Sequence, residues 1–468
     1  MLIALSLTVL LTTLLCETAA RRGWLPYWVT RKVLHLVAVG ACAFAVLLLD
    51  RALLTAVVAV AEIGLLGLIV GNRLMREESG RRAWGIVWFP LAFLLLLLVV
   101  DDDRTVFLAM LTLAVCDPAA TVVGKLFPWR PYDLTGDAKT LSGSLAFAAV
   151  CALLLAALGF APAYWLHLPL YVGLLTLSEA LGSRGLDNLY VPLLTAWLLE
   201  WGAVESALPQ LLFGGALLFG WVMVRRRSLD PGGAAAAVVL GSVVSLGAGP
   251  VWLLPLFVFL LSSSLIGKLL PVATAAGDAK QKQPRDAVQV VANGGVYGLL
   301  AAGAIGAVGT YGCFAPPVEA LLLVAMATAT ADTWSSEIGQ YFGRPTYDLL
   351  RGRRVPPGLS GGVSDAGSAA GLLGAGLIGG LTFVLLPNAE PVDAAWVAAT
   401  GFAGMLLDSV LGSALQATYR TPAGHLTDAA GDGRVLVRGF RHMTNDLVNF
   451  LAIGLTVLLG ALAYGYLG

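Results

Sequence analysis

Charge is what this chain of 468 residues has least of: Asp, Glu, Lys and Arg make up 12% of it, against 58% hydrophobic residues. A water-soluble domain carries about 25% charged residues, so a fold bathed in water on all sides is excluded. Cysteine is scarce as well. The five residues (Cys16, Cys42, Cys116, Cys151 and Cys313) lie in or beside apolar stretches and form no CxxC, which leaves no disulfide framework and no zinc site. The four histidines make neither H-E-x-x-H nor H-x-x-E-H. No G-x-x-x-x-G-K-[ST] occurs, so a Walker-type P-loop is excluded. Lys plus Arg and Asp plus Glu balance at 29 each, and nucleic acid is not an expected partner.

What the chain has in quantity is apolar sequence. Hydropathy divides it into about sixteen segments, starting near 2, 33, 52, 84, 105, 141, 164, 188, 209, 233, 251, 287, 315, 362, 394 and 445. The fold class expected is an all-α, polytopic integral membrane protein of about 16 transmembrane helices. The first run, residues 2–18, lacks a basic flank before it and is followed by Arg21 and Arg22, which favours a retained helix over a signal peptide. Assigning the connecting segments alternately to two sides places 27 of the 29 Lys and Arg on one side; only Arg51 and Arg104 fall opposite. By the positive-inside rule the basic side is cytoplasmic and both termini lie outside, in a cell inner membrane or a plastid membrane.

Two polar loops resemble each other. From Asp117 the first reaches Gly124, Phe127, Tyr132-Asp133-Leu134 and Leu141-Ser142-Gly143-Ser144. From Asp332 the second reaches Gly339, Phe342, Tyr347-Asp348-Leu349 and Leu359-Ser360-Gly361-Gly362. The spacing from the leading Asp is the same up to the Tyr-Asp-Leu, and the Leu-Ser-Gly is offset by three residues. Upstream stand Arg31-x-x-x-His35 in one half and Arg285-x-x-x-Gln289-x-x-x-Asn293 in the other, a spacing that shares a helix face. Downstream, Glu179 with Asp187-Asn188 answers Asp408 with Asn445-Asp446. The ordered series predicts duplication into two parallel repeats, 1–227 and 228–468, joined near Arg225–Gly233.

Carboxylates in such a setting need a reason. At the bilayer centre each costs up to about 2.5–3.5 kcal/mol; Asp117 and Asp332 each follow an apolar run directly, and Glu179 and Asp408 are similarly embedded. The bland reading is a water-bathed helix end or a structural ion pair, and recurrence of the set in both halves weighs against it. Mg²⁺ takes one or two protein carboxylates and fills its shell with waters and phosphate oxygens. Gly124, Gly143, Gly339, Gly361 and Gly362 let backbone N–H groups approach phosphate. Arg31, Lys125 and Lys139 supply counter-charge in the first half, Arg285 and Arg344 in the second. Phosphoryl transfer asks for little more than this positioning and neutralisation.

The first-half motifs, Arg31-Lys32-x-x-His35, Asp117-x-x-Ala120-x-x-x-Gly124-Lys125, Lys139-Thr140-Leu-Ser-Gly143-Ser144, Glu179-Ala and Asp187-Asn188, resemble the phytol/dolichol (polyprenol) kinase family over residues 20–200. One departure is Cys116, where that family commonly has Gly. From residue 228 onward, Phe259–Ser264, Arg285-x-x-x-Gln289-Val-x-x-Asn293-Gly-Gly, Asp332-Thr-Trp-Ser-Ser-Glu337-Ile-Gly339, Pro356–Gly362 and Leu407-Asp408-Ser resemble the phytyl-phosphate kinase family. The resemblance implies a bifunctional membrane phosphotransferase acting on an isoprenoid alcohol and then on prenyl phosphate, with CTP (or another nucleoside triphosphate) as donor and Mg²⁺ as cofactor. It implies catalytic roles for Asp117, Lys139, Glu179, Asp187, Asp332 and Asp408, and metal binding by Asp117, Asp332, Glu337 and Asp408. Nucleotide or phosphate contacts fall to Arg31, His35, Gly124, Lys125, Thr140, Gly143, Arg285, Gln289, Asn293, Gly339, Arg344, Gly361, Gly362 and Asn445. Two other readings stay open: a CTP-dependent lipid-phosphate cytidylyltransferase, for the likeness of the first-half pattern, and a membrane transporter, for repeated bundles with intramembrane charge.

Overall fold

The computed structural model describes residues 1–70, 85–158, 162–201, 206–270, 283–307 and 318–467. The basic stretch at 71–82, Lys280, Lys282, Glu205 and Cys313 lie outside the described residues. The chain forms two compact units, Met1–Gly214 and Gly215–Gly468. The first contains α1 (Leu2–Arg21), α2 (Tyr27–Leu48), α3 (Arg51–Val70), α4 (Gly85–Val99), α5 (Asp103–Leu126), the strands β1 (Pro131–Asp133) and β2 (Ala138–Thr140), α6 (Leu141–Ala157), α7 (Pro162–Leu181) and α8 (Asp187–Trp201). The division falls inside α9 (Leu208–Arg225), somewhat before the junction expected at the end of that helix. The second unit continues with α10 (Pro231–Gly247), α11 (Leu253–Leu269), α12 (Ala287–Ala307), α13 (Val318–Phe342), the strands β3 (Thr346–Asp348), β4 (Arg354–Val355) and β5 (Gly362–Val363), α14 (Asp365–Gly380), the short α15 (Thr382–Leu385) and α16 (Pro391–Leu415). It closes with β6 (Thr418–Arg420), β7 (Leu426–Thr427), β8 (Val435–Arg438) and α17 (Asn445–Leu467).

Each apolar segment read from the sequence carries a helix. By length and composition, eight of the described helical stretches can cross a membrane: Leu2–Arg21, Tyr27–Leu48, Asp103–Leu126, Leu208–Arg225, Pro250–Leu269, Asp365–Leu385, Pro391–Leu415 and Asn445–Tyr464. Four more helices are apolar but shorter. The all-α expectation needs one correction. The polar loops hold small antiparallel sheets, β1–β2, β4-β3-β5 and β7-β6-β8. Backbone outside a helix still needs hydrogen-bond partners, and a hairpin supplies them within a short loop.

In each unit one helix lies at the centre. In the first, α5 is buried at most positions from Thr105 to Ala120 and packs against α2, α6 and α8. In the second, every residue of α13 from Ala320 to Ala331 is buried, among α11, α12, α14, α16 and α17. Small residues let those backbones meet. A Cβ on Gly401 would collide with the Ala327 side chain, and one on Gly404 would lie 2.6 Å from the Thr328 side chain. Arg51 and Arg104, which the charge count sets apart from the other basic residues, have structural work. The Arg51 guanidinium donates to the carbonyls of Leu97 (2.8 Å) and Val100 at the end of α4 and to the Asp103 carboxylate (2.5 Å). Arg104 donates to the Leu158 carbonyl (2.9 Å) after α6. Both satisfy carbonyls that a helix C-terminus leaves open.

Candidate functional site

Asp117 lies on α5 and Asp332 on α13, the central helices of their units, each seven residues before a glycine near the helix end, Gly124 and Gly339. The loops that leave the two helices are built alike. Tyr132-Asp133 stands in β1 and Tyr347-Asp348 in β3. Asp133 accepts from the N–H groups of Thr135 (3.1 Å) and Gly136 (2.6 Å); Asp348 accepts from Leu350 (3.1 Å) and Arg351 (3.0 Å). The Asp of Tyr-Asp-Leu is therefore a turn-former in both loops. The returning strand then delivers an N-cap. Thr140 caps α6 by accepting from the Gly143 N–H, and Ser364 caps α14 by accepting from Gly367, both at 3.1 Å. A Cβ on Gly124 would meet Thr140 Oγ1 at 2.7 Å and Gly143 Cα at 3.5 Å; one on Gly339 would meet Ser364 Oγ at 3.1 Å and Gly367 Cα at 3.2 Å.

This geometry corrects one alignment made on sequence. Leu359-Ser-Gly361-Gly362 is not the counterpart of Leu141-Ser-Gly143-Ser144; Ser364-x-x-Gly367 is the counterpart of Thr140-x-x-Gly143. Gly361, at φ +84°, turns the chain against the end of α16, where a Cβ would lie 2.6 Å from the Ser413 Cβ. Gly362 pairs with Asp348 in the sheet. Close packing thus accounts for Gly124, Gly143, Gly339 and Gly361.

In the first unit, acids and bases interlock. Both oxygens of buried Asp117 accept from the Lys32 ammonium, at 2.8 and 2.7 Å, and His35 Nε2 lies 3.3 Å away. Lys139, in β2, donates to Glu179 Oε1 (2.6 Å) and to the Glu179 carbonyl, and lies 3.5 Å from Asp187 Oδ2. Burial disfavours the Lys139 charge, but Asp187 and Glu179 outweigh it and hold the ammonium above its usual lysine range. Glu179 Oε2 is buried without a partner. Asn188 donates to the Gly85 carbonyl (3.0 Å), tying α8 to α4.

Lys32 was absent from the expected set, which paired Arg31 with His35. The missed signal is the i, i+3 pair Lys32–His35, which shares a helix face. The Arg31 guanidinium lies near Gly85 instead. Lys125 is exposed and stands over the Trp28 ring at 6.0 Å.

The second unit is arranged differently. Asp332 and Asp408 are close enough to interact electrostatically, and with Asn293, Asn449 and Thr328 they line a narrow crevice between α12, α13, α16 and α17. The Asn449 amide donates to Asp408 Oδ2 (3.1 Å) and to the Asn445 carbonyl. Asn293 donates to the Gln289 carbonyl (2.9 Å), while its own Oδ1 is buried without a partner. Among the described residues no Lys, Arg or His pairs with Asp332 or Asp408. Glu337 is drawn away from this crevice to Arg285 Nη2, at 3.7 Å. Gln289 is spent on a reciprocal cap with Asp286 at the start of α12. Arg344 is exposed. A separate network holds the loops: buried Asp348 accepts from Ser413 (2.5 Å), Arg438 (3.1 Å) and Arg351 (3.2 Å). No group of three or more His, Cys, Asp or Glu side chains forms a metal cage among the described residues.

A mostly helical chain with acids following buried apolar runs on its central helices and eight membrane-competent stretches is an integral membrane protein. Residues 214–457 match the family model described as integral membrane protein DUF92, and the chain belongs to that family. It is 28% identical to Protein PGR of Arabidopsis thaliana over 266 residues, which are 52% of this chain and 91% of that protein. It is 26% identical over 232 residues to Protein VTE6, chloroplastic, of the same plant, covering 48% of this chain and 62% of that relative's length. No solved structure matches.

Proposed function

We propose that the protein is a bifunctional membrane prenol kinase of isoprenoid salvage. The first unit phosphorylates an isoprenoid alcohol of the phytol type with CTP, and the second phosphorylates the resulting prenyl phosphate to the diphosphate. The observation that carries this reading is one acidic side chain on the central helix of each unit, seven residues before a close-packed glycine, followed by an antiparallel loop sheet and an N-cap. It joins the likeness of the two halves to prenol-kinase and prenyl-phosphate-kinase families. On this reading the halves, 1–227 and 228–468, are diverged parallel repeats in a bundle of about sixteen spans. Their sites face the cytoplasm, and the prenyl tail lies among helices in the lipid.

The oxygen-only set of the second unit fits a hard divalent cation: two facing carboxylates without a cationic partner among the described residues, and an Asn293 Oδ1 with none. Asp332 and Asp408 would hold Mg²⁺, which when bound neutralises charge on the nucleotide phosphates. In the first unit Lys32 already occupies both oxygens of Asp117, so Asp117 serves the metal only as Lys32 gives way. There Lys32 and Lys139 offset the charge of the phosphoryl group as it leaves CDP for the alcohol oxygen. Glu179, its Oε2 free of partners, receives the hydroxyl proton, with Asp187 behind Lys139.

The test is an assay of solubilised protein with phytol, Mg²⁺ and labelled CTP, with lipid products separated by chromatography. Monophosphate and diphosphate together are expected. A CDP-lipid with pyrophosphate would replace this reading with a cytidylyltransferase. No product across several prenols and nucleotides would turn it towards a transporter.

A further inference from the structure

A second polar centre of the C-terminal unit stands apart from the Asp332–Asp408 crevice. Arg285 precedes α12, and its backbone is fixed. Its N–H donates to the Ser228 carbonyl (3.2 Å), its carbonyl accepts from Asp230 (3.0 Å), and a Cβ on Gly233 would collide with that oxygen. Its guanidinium lies over the Phe259 ring at 5.2 Å, a contact that favours a cation. The carboxylate paired with it among the described residues is Glu337, and at 3.7 Å the two form no hydrogen bond. Arg285 Nη1 and Glu337 Oε2 are both buried without a hydrogen-bond partner among the described residues. Gly267 stands beside the acid: a Cβ there would be in van der Waals contact with the Glu337 carboxylate, at 3.7 Å. Trp334, one helical turn before Glu337, is held by its indole N–H to Ser262 Oγ (3.2 Å).

A pair retained only for stability closes to hydrogen-bond distance and satisfies its buried donors. This pair does neither. A fixed, largely buried guanidinium with an unpartnered Nη1 donor and a loosely held counter-ion is built for an anion with several acceptor oxygens. We propose that Arg285 binds the phosphate of a lipid monophosphate, and that Glu337 is its resting counter-ion, displaced when the phosphate enters. This rests on, and deepens, the reading of the second unit as a prenyl-phosphate kinase: it supplies the discrimination between a phosphorylated lipid and its alcohol. Glu337 also acts as a filter. An uncharged hydroxyl cannot replace it at Arg285 without leaving a buried charge unpaired.

The experiment measures equilibrium binding of hexadecyl phosphate and of hexadecanol to the full-length protein in detergent, without nucleotide. Wild type is expected to prefer the phosphate. Arg285→Gln is expected to lower phosphate affinity roughly ten- to hundredfold and to leave hexadecanol binding as it was. Glu337→Gln, which removes the competing acid, is expected to raise phosphate affinity. The double variant Arg285→Gln/Glu337→Gln buries no unpaired charge, so it carries the test if Arg285→Gln fails to fold; it should bind the phosphate as poorly as the single Arg variant. Unchanged affinity on loss of Arg285, or weakened affinity on loss of the Glu337 charge, would overturn the proposal. The readout needs no catalysis. Arg285-dependent binding in a protein that makes no diphosphate would keep this site and discard the kinase; diphosphate formation with an unchanged KM in Arg285→Gln would do the reverse.

Discussion

Asp117 and Asp332 sit on comparable helices, each seven residues before a glycine near the helix end, yet the groups around them differ in kind. Asp117 faces fixed cations: Lys32 on α2 at hydrogen-bond distance, His35 beside it, and Lys139 within electrostatic reach. Asp332 faces another carboxylate and two amides. The sheets locate one origin of the contrast. The strand residue before each cap is Lys139, paired with Tyr132, in the first unit, and Val363, paired with Tyr347, in the second. That register position supplies the cation held by Glu179 in the first unit and none in the second, while the direct partner of Asp117 comes separately from α2. The first site is therefore charge-compensated by the chain's own lysines, whereas among the described residues the second has no such partner for its two carboxylates.

The largest effect should come from removing the two acids in turn. Asp117→Asn is expected to lower alcohol phosphorylation by about 10²–10³-fold and spare phosphorylation of added prenyl phosphate; Asp332→Asn should do the opposite. Chromatography of both products from each variant reads this directly. Loss of both steps in either variant would mean that the units do not divide the chemistry.

Breaking the built-in pair should cost stability in the first unit alone. Lys32→Met leaves Asp117 buried without its main partner, at about 3–5 kcal/mol. Thermal melting of the solubilised protein should show a lower Tm, and Lys32→Met/Asp117→Asn should recover most of the loss. A single variant that melts as wild type would show that water, not Lys32, compensates Asp117.

A smaller and opposite response is expected from the second unit. Added Mg²⁺ or Mn²⁺ should stabilise it by about 2.7 kcal/mol at a concentration a hundred times the dissociation constant. That gain should vanish in Asp332→Asn and Asp408→Asn and persist in Lys32→Met. An equal gain in all variants would place the cation elsewhere.

How far the sequence reached depended on the range of the interaction. Helix positions and the recurring series from the leading acid to Tyr-Asp were legible because each is set by residues close in the chain, whereas the strands that hold the Tyr-Asp were not, since their pairing joins separate stretches of loop. The partner of Asp117 was not. Arg31 and Lys32 are adjacent and equally basic, and only the azimuth of α2 against α5 decides that Lys32 reaches the acid. The Leu-Ser-Gly repeat misled for a related reason. In the second loop the extra strand β4 moves the cap to Ser364, while the same three letters recur in a turn held against Ser413. Glu337 reads in sequence as a third acid on the helix of Asp332, but its position five residues on turns it from the crevice to Arg285.

The contrast also predicts opposite pH limits. In the second unit, burial pushes the Asp348 carboxyl up, but hydrogen bonds from Ser413 and Arg351, with the Arg351 charge, hold it below the usual aspartate value. The folded state then binds fewer protons than the unfolded one. Asp348 contributes stability that is present above about pH 4 and lost as the pH falls through its folded value. In the first unit, Asp187 and Glu179 hold the Lys139 ammonium above the lysine range against the effect of burial. Its contribution is complete below about pH 10 and lost as the pH rises through the folded value. Melting curves across pH should therefore show an acid limb that Asp348→Asn flattens and an alkaline limb that Lys139→Met flattens. Each substitution should leave the other limb in place, because the two groups belong to different units. An acid limb untouched by Asp348→Asn would assign the loss to other carboxylates and remove Asp348 from the groups that set the stability of the second unit.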